Sequence, residues 1–395
     1  MSDLGLASEV VTDFDGPVLD WLQAELNAQD VDTTDAPAGF ALGWVGWLGY
    51  ELRGETMGVP VTRSSRYPLA AWLRVDRALA FDHAHHEVTL LALDDLEGWR
   101  ATVAEALEAP AALPSRTSES VATATWAYSD AQYLDMIRAC QAAIVEGDAY
   151  QLCLTTEVSI DASPDPIATY LALRESSPTH HGALLRAGAV SLLSASPEQF
   201  LAVSPDGIVQ TSPIKGTRPR GTTEARDWKL RDELQTSDKE RAENVMIVDL
   251  MRNDIARVSK PGTVDVTSLL AVESYAQVHQ LVSTVRGELA KGLDGIDAIR
   301  ACFPAGSMTG APKRSATEIL DSLEQRSRGI YAGVFGYVGL DGAVDLAMVI
   351  RSIVMDAAGS TIGTGGGITA LSVPEEELEE ARLKAAVLLE VLGAQ

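Results

Sequence analysis

Glu198 and Lys215 are the first residues of this sequence that invite chemistry. Glu198 closes Ser196-Pro197-Glu198, and Lys215 sits in Ser212-Pro213-Ile214-Lys215-Gly216-Thr217-Arg218-Pro219. The intervening FLAVSPDGIVQT reads as two short apolar strands joined at Pro205-Asp206-Gly207, a hairpin that brings acid and amine together at its open end. Burial and neighbouring charge can tune both groups toward neutrality, which suits them to act as acid and nucleophile. The same two residues also fit a surface ion pair beside a glycine turn, and the motif alone does not decide between the two.

Two further stretches concentrate acid on helix faces. A helix over 236–258 opens at Ser237-Asp238-Lys239-Glu240, a capping box, and places Glu240, Glu243 and Ile247 on one face. A last helix starts at Pro374 with a second capping box, Ser372-Val373-Pro374-Glu375. Glu377, Glu380 and Lys384 share one of its faces, and Leu383, Val387 and Val391 line part of another. Acid at a helix start suits the macrodipole, and it equally suits Mg²⁺, which takes oxygen ligands and keeps waters.

Other candidates are cationic or glycine-rich. Arg351 stands inside a strand predicted over 344–356, where burial calls for an anion and edge exposure does not. Gly306 and Gly310 precede a helix opening at Pro312, whose backbone N–H groups would cradle an anion, although the Walker A spacing is absent. Residues 363–369 read GTGGGIT. His83, His85 and His86 fall at the tip of a hairpin over 71–93, which reads as a solvated turn and not a metal site.

The remaining sequence must position these groups. GFALGWVGWLGYELRGE at 39–55 reads as strand and turn, with glycines for close sheet packing. Helices are predicted over 95–108, from Ser129 to Gly147 and over 166–176. Strands are predicted over 149–159, 183–203 and 330–340, and alternation in the first turns Gln151 toward a cavity. A linker over 109–125 divides an N-terminal subdomain, 1–124, from a motif-dense part, 125–395.

Composition narrows the function. The 395 residues are 46% hydrophobic, enough for a large core in one to three domains. No apolar run approaches bilayer length, and MSDLGLASEV lacks the pattern of a secretion signal. Three cysteines without a close pair (Cys140, Cys153, Cys302) predict a reduced, cytoplasmic protein with no structural zinc. A net charge of −25 argues against nucleic acid or an anionic membrane as partner. A small anionic ligand would need a local Lys/Arg cluster or a divalent cation.

Taken in order, SPEQFL, PIKGTRPRG, ERAENVMIVDLMRNDIARV, HQLVSTVRG, FPAGSMTGAPK, GIYAGVFGYVG, IRSIV, GTGGGI and EEELEEARLK resemble the chorismate-utilising enzymes. That family includes anthranilate, isochorismate, salicylate and aminodeoxychorismate synthases. The resemblance is dense over 125–395 and looser over 1–124, chiefly through GWVGWLGYEL. It implies an α/β fold of the α+β type, with large antiparallel sheets packed against helices and the site between them.

The resemblance also implies roles. Glu243 and Glu380 would ligate Mg²⁺, which binds the ring carboxylate of chorismate, with Glu240 and Glu377 in support. Arg351, Tyr331, Gly365, Gly366 and Gly367 would hold the side-chain carboxylate, and Lys384 would add positive charge. Thr217, Gln151 and Gln280 would complete substrate binding, and Glu198 would protonate the departing 4-hydroxyl. Anthranilate-forming members usually read PIAGT where this sequence reads PIKGT, as do members similar to the aminodeoxychorismate synthases. Lys215 would then add to carbon 2, and ammonia would displace it by attack at carbon 4, for 4-aminobenzoate and folate synthesis.

Isochorismate and salicylate synthases resemble each other in a lysine where Gln151 stands, and glutamine cannot be that base. Gln280 occupies a position where relatives often carry histidine, with His279 just before it, so proton handling there is open. No cysteine lies in a glutaminase-type nucleophile turn, so a separate glutaminase subunit is the implied source of ammonia. The leucine-leucine-glutamate-serine stretch of tryptophan-inhibited relatives is missing, which implies weak or absent tryptophan feedback.

Overall fold

The computed structural model describes residues 2–29, 31–33, 39–109, 122–275 and 277–394. Most of the linker expected over 109–125 therefore lies outside the described residues. From the N-terminus come β1 (Ser2–Val11), α1 (Val18–Asn27), β2 (Gly43–Leu48), α2 (Arg53–Met57), β3 (Ala70–Asp82), β4 (Glu87–Ala92) and α3 (Leu96–Glu108). Next are β5 (Ala124–Trp126), α4 (Asp130–Glu146), β6 (Gln151–Ile160), α5 (Pro166–Ser176), β7 (His181–Ala187), β8 (Val190–Ser196), β9 (Gln199–Val203), β10 (Ile208–Ser212) and β11 (Ile214–Pro219). They are followed by α6 (Glu224–Thr236), α7 (Asp238–Ala256), β12 (Asp265–Ser274), β13 (Val278–Glu288), α8 (Gly295–Cys302), β14 (Gly310–Ala311) and α9 (Lys313–Glu324). The chain ends with β15 (Val334–Gly339), β16 (Val344–Met348), β17 (Ser352–Asp356), β18 (Gly359–Ile368) and α10 (Pro374–Leu392).

These strands form two antiparallel sheets. The larger runs β1-β3-β2-β15-β16-β9-β10-β13-β11, with β4 beside β3 and β12 beside β13. The smaller runs β14-β6-β18-β17-β8-β7, with β5 beside β6. The main core lies between the larger sheet and helices α1, α7 and α8, and buries Leu19, Leu22, Trp44, Ile247, Ile255, Ile299 and Leu346. Each such side chain contributes about 1.5–3 kcal/mol by leaving water. Helix α10 packs on β18 and α4, turning Ala381, Ala385, Leu388 and Leu392 inward. The apolar stripe expected at Leu383, Val387 and Val391 is thus only partly right: Val391 is buried, but Leu383 is exposed at the mouth of a cleft.

Local sequence explains most boundaries. Ser129 and Gln132 form a reciprocal capping box on α4, and Gly147 ends it in the left-handed region at φ 89°. At the β3–β4 tip the Asp82 carboxylate accepts from the Ala84 and His85 N–H groups and lies 2.8 Å from His85 Nδ1. The histidines there belong to an exposed turn. The hairpin foreseen over 200–211 is β9–β10, closed by the Pro205-Asp206-Gly207 turn with Gly207 at φ 82°.

Two expectations fail for tertiary reasons. The strand expected over 344–356 is two strands, β16 in the larger sheet and β17 in the smaller, parted at Arg351, whose φ is +51°. The second capping box does not form. The Ser372 hydroxyl bonds the Glu377 carboxylate and the Thr369 N–H, and Val373 is the uncapped start of α10. At α7 half of a box remains: Ser237 accepts the Glu240 N–H, while the Glu240 carboxylate turns to Arg218 at 3.5 Å. Helix α6 is an element that the sequence did not announce.

The chain also passes from the smaller to the larger sheet between β8 and β9, at Pro197-Glu198. This crossover lies beside that of β16 and β17. The Ala195 N–H donates to the Arg351 carbonyl at 3.1 Å, and the Met348 N–H donates to the Glu198 carbonyl at 3.0 Å. Two neighbouring strands thus switch sheets side by side, and each carries a candidate functional residue at the switch.

Candidate active site

A cleft of about 460 Å³ opens at this seam. Glu198 and Arg351 enter it from the two crossovers, and β11 supplies Lys215, Thr217 and Arg218. Helix α7 contributes Lys239, Glu240 and Glu243, and α10 faces it with Glu377, Glu380, Leu383 and Lys384. Gln280 of β13, Tyr331, Ser307, Met308 and the glycines 365–367 of β18 complete most of the wall.

Lys215 is aimed by a bulge. In the pairing of β11 with β13, Ile214 sits opposite Val282 and Thr217 opposite Gln280, so one residue too many fits between them. Gly216 takes φ +83°, and a Cβ there would lie 2.8 Å from Leu234 and 2.9 Å from Glu240 Oε2. Bulges of this kind lift a side chain out of the ladder and re-aim it. Among the described residues Lys215 makes no salt bridge. Burial pushes the Glu198 carboxyl above its usual range, against the opposing pull of Lys215, Ser307 and Lys384. Glu198 is therefore poised to hold a proton that it can give away.

The acidic side of the cleft is partly neutralised from within. Lys384 Nζ lies 2.6 Å from Glu380 and 2.9 Å from the Gly365 carbonyl, and Lys239 Nζ lies 3.1 Å from Glu377. Burial pushes Glu380 up, yet Lys384, Lys239 and Lys215 together bring it below its ordinary value. Glu243 is the reverse: burial outweighs Lys215 and Lys239 and raises it, and Glu240 and Glu377 add to the rise. Its Oε1 is buried with no hydrogen-bond partner among the described residues. Gln151 Oε1 shares that condition, so two polar atoms without a partner among the described residues lie in or just behind this cleft. Buried groups without partners are costly, and they mark where a ligand would bond.

Arg351 donates to the Lys384 carbonyl at 3.2 Å and makes no salt bridge among the described residues. Burial lowers its pKa, against the pull of Tyr331 and Glu380, which fits a guanidinium waiting for an anion. Tyr331 packs on β18, where a Cβ at Gly363 would come within 2.0 Å of its ring.

Most of the candidate residues are thus brought together: Glu198, Lys215, Thr217, Glu240, Glu243, Gln280, Tyr331, Arg351, Gly365, Gly366, Gly367, Glu377, Glu380 and Lys384 all line the cleft. Gln151 does not. It is buried behind Gly367, where a Cβ would meet its Nε2 at 2.3 Å. His279 also lies outside the wall, with Nδ1 2.8 Å from Ser274 Oγ and Nε2 3.0 Å from Asp227. The glycines of the anion cradle expected ahead of α9, Gly306 and Gly310, are not in the lining, although Ser307 and Met308 between them are. Gly306 there serves close packing on Leu250 and Met251, Gly310 packs against Gln151, and Lys313 pairs with Asp254 at 2.5 Å. Sequence reasoning missed Ser307, Lys239 and Arg218. Ser307 lies inside FPAGSMTG and Lys239 inside the acidic helix start, so both were within reach of the motifs.

Comparison with known proteins gives the family. A model of the chorismate binding enzyme family matches residues 5–390. The chain belongs to that family.

Two curated relatives of this chorismate binding enzyme are aminodeoxychorismate synthases. One, from Streptomyces griseus, is 43% identical over 385 residues, covering 95% of this chain and 53% of the relative. The other, from Streptomyces pristinaespiralis, is 41% identical over 391 residues, covering 95% and 54%. The chain thus spans about half the length of these relatives. A solved structure, anthranilate synthase component I from Streptococcus pneumoniae TIGR4, matches with a TM-score of 0.89 at 27% identity, covering 98% of this chain and 92% of that one. The mixed fold of helices and large antiparallel sheets is therefore the fold of this family.

Enzymes of this family generally use Mg²⁺. The donors available in the cleft are carboxylate oxygens, the hard ligands that ion prefers, and the partnerless Glu243 Oε1 offers a position. Among the described residues no three acidic, histidine or cysteine side chains already close on one point. Mg²⁺ commonly takes only one or two carboxylates and keeps waters, so the residues present fit it.

Proposed function

We propose that this chain is the chorismate-aminating component of an aminodeoxychorismate synthase, converting chorismate and ammonia to 4-amino-4-deoxychorismate for 4-aminobenzoate and folate synthesis. The observation that carries the reading is Lys215, lifted by the β11 bulge into the same cleft as the buried acid Glu198. In this reading the neutral Lys215 amine adds to carbon 2 of chorismate. The two ring double bonds shift, the carbon 4–oxygen bond breaks, and Glu198 protonates the departing hydroxyl to water. Ammonia then attacks carbon 4, the double bonds shift back, and the bond from carbon 2 to Lys215 breaks. Glu198 regains its proton from the ammonium formed at carbon 4. The sum is chorismate plus ammonia to product plus water.

Arg351 and Tyr331, with the backbone of 365–367, would hold the side-chain carboxylate, and Thr217 and Gln280 would orient the ring. Glu243 and Glu380 would hold Mg²⁺, with Glu240 and Glu377 in support; when bound, the ion supplies positive charge for the ring carboxylate. Gln151 would act through Gly367, as a packed amide behind the reacting ring. The proposed catalytic part is 125–395, with 1–124 as an N-terminal subdomain whose strands extend the larger sheet. Ammonia would come from a glutaminase partner, and we place the reaction in the cytoplasm. No helix among the described residues is long and apolar enough to cross a membrane.

The test is incubation with chorismate, Mg²⁺ and excess ammonium, with and without a lyase for aminodeoxychorismate, products being read by chromatography and mass. Lyase-dependent 4-aminobenzoate is expected. The likeness to a solved anthranilate synthase favours one rival, chorismate to anthranilate and pyruvate. Anthranilate formed without the lyase would select it.

A further inference from the structure

Lys239 lines the cleft but has no part in the reaction just described. It is the second residue of α7, and its Nζ reaches across to Glu377 on α10 at 3.1 Å, linking two acidic helix starts. Glu377 is 3% exposed, and among the described residues the other partner of its carboxylate is the neutral Ser372 hydroxyl at 2.7 Å. The Lys239 ammonium is therefore the charge that makes this buried carboxylate tolerable. Glu243 and Glu380 feel the same ammonium. One lysine thus faces three of the four carboxylates that a divalent cation would meet, while Lys384 holds Glu380 and Arg218 holds Glu240. The lysine side chain is 39% exposed, so water is at hand to receive its charge if it swings away.

We propose that Lys239 is a built-in counter-cation: it occupies the acidic wall while no metal is bound, and must yield when a divalent cation enters. The inference rests on the metal role proposed above for Glu243 and Glu380. Its physical basis is that a dication approaching within a few ångströms of a fixed ammonium is repelled, and that a buried carboxylate without any counterion is unstable. Lys239 therefore keeps the empty site folded and lowers its affinity for Mg²⁺. Tight binding of the ion is left to the moment when the substrate's own carboxylate arrives to help.

The test needs no turnover. Mg²⁺ binding is measured by calorimetry without chorismate on the wild type, Lys239→Met, Lys239→Arg and Glu243→Gln, and thermal unfolding is followed with and without the ion. Lys239→Met keeps most of the apolar stem and removes the charge. It should bind Mg²⁺ about tenfold more tightly, a shift of roughly 1.4 kcal/mol. Its melting temperature should fall without Mg²⁺ and recover with it. Lys239→Arg should match the wild type, and Glu243→Gln should lose binding. Unchanged or weaker binding by Lys239→Met, with binding lost in Glu243→Gln, overturns the counter-cation role and leaves the metal reading standing. Wild-type binding by Glu243→Gln overturns both. A lysine that was merely structural would lower the melting temperature without any gain in affinity.

Discussion

A Cβ on Gly367 would lie 2.3 Å from Gln151 Nε2 and 3.5 Å from Lys215 Nζ. Three residues from β18, β6 and β11 thus meet with no room for a methyl group between them. Gln151 is 1% exposed, so its amide cannot swing into solvent to make room. Gly367→Ala should therefore force Gln151 or β18 itself to shift, and with it the glycine strand beside the Lys215 amine. An error of about 1 Å in the position of a reacting group can cost on the order of 100-fold, and that is the expected fall in kcat/KM. Steady-state assays should show it while circular dichroism stays unchanged.

Replacing the amine itself should be more severe. Lys215→Ala should lower formation of the 4-amino product by roughly 10³-fold or more, as loss of a covalent nucleophile does. Any residual turnover should aminate carbon 2, which mass and chromatography distinguish. Undiminished 4-amination by Lys215→Ala would end the covalent route.

How far the sequence announced these parts depended on whether a signal was local. The β9–β10 hairpin was legible because Pro205-Asp206-Gly207 states its turn, and α4 because Ser129, Gln132 and Gly147 state both its ends. Arg351 was placed inside one strand because apolar and β-branched residues flank it on both sides. Nothing local says that its two flanks pair with different sheets. Helix α6 was silent because only Leu230 and Leu234 of its 13 residues are buried, which leaves no apolar stripe to read. Ser372 looked like a cap, and its hydroxyl is engaged instead by a carboxylate one turn into the helix. The cleft residues were recognised by motif, whereas the bulge that aims Lys215 and the reach of Lys239 to Glu377 are tertiary facts.

Glu198 gives a pH signature with a definite sign. Burial raises its folded pKa above the ordinary 4.5, so the native state holds the proton more tightly than the unfolded chain does. Its stabilising contribution is full below about 4.5 and is lost as pH climbs through the folded value. Glu198→Gln, which stays neutral, should melt higher than the wild type at pH 8, and the gap should shrink as pH falls toward 5. The same variant should lose most of its turnover, since an amide cannot protonate a leaving hydroxyl.

Behind the cleft, Arg328 is 3% exposed and bonds both oxygens of Glu324 and the carbonyls of Cys153 and Met308, two residues of the cleft wall. Its ring-facing side stacks on Tyr50, 4.3 Å from the centroid. Arg328→Met would leave Glu324 buried without its cation, at a cost of about 3–5 kcal/mol. Urea unfolding should register that loss as a lower midpoint.

The far end of β11 is fastened by Asp227 of α6, which bonds Arg220 twice at 2.8 Å, the Gly221 N–H at 2.7 Å and His279 at 3.0 Å. A Cβ on Gly221 would lie 2.2 Å from the Asp227 backbone nitrogen. Gly221→Ala should therefore push α6 off β11 and lower kcat, through Lys215, by roughly tenfold or more. Calorimetric Mg²⁺ binding should be little changed.

The paired sheet crossovers at Glu198 and Arg351 bear on how much change the scaffold tolerates. In the proposed reading, proton donor and carboxylate anchor are spaced by two backbone hydrogen bonds at the seam of the two sheets, Ala195 to Arg351 and Met348 to Glu198. Strands β1 and β4 at one end of the larger sheet, and β7 at the edge of the smaller, have no part in that spacing. Insertions, deletions and drift can accumulate at those margins while the central geometry stays fixed. If Lys215 has the role proposed for it, a single side chain on the β11 bulge is then free to redirect the chemistry, and one frame would host several reactions of the same substrate.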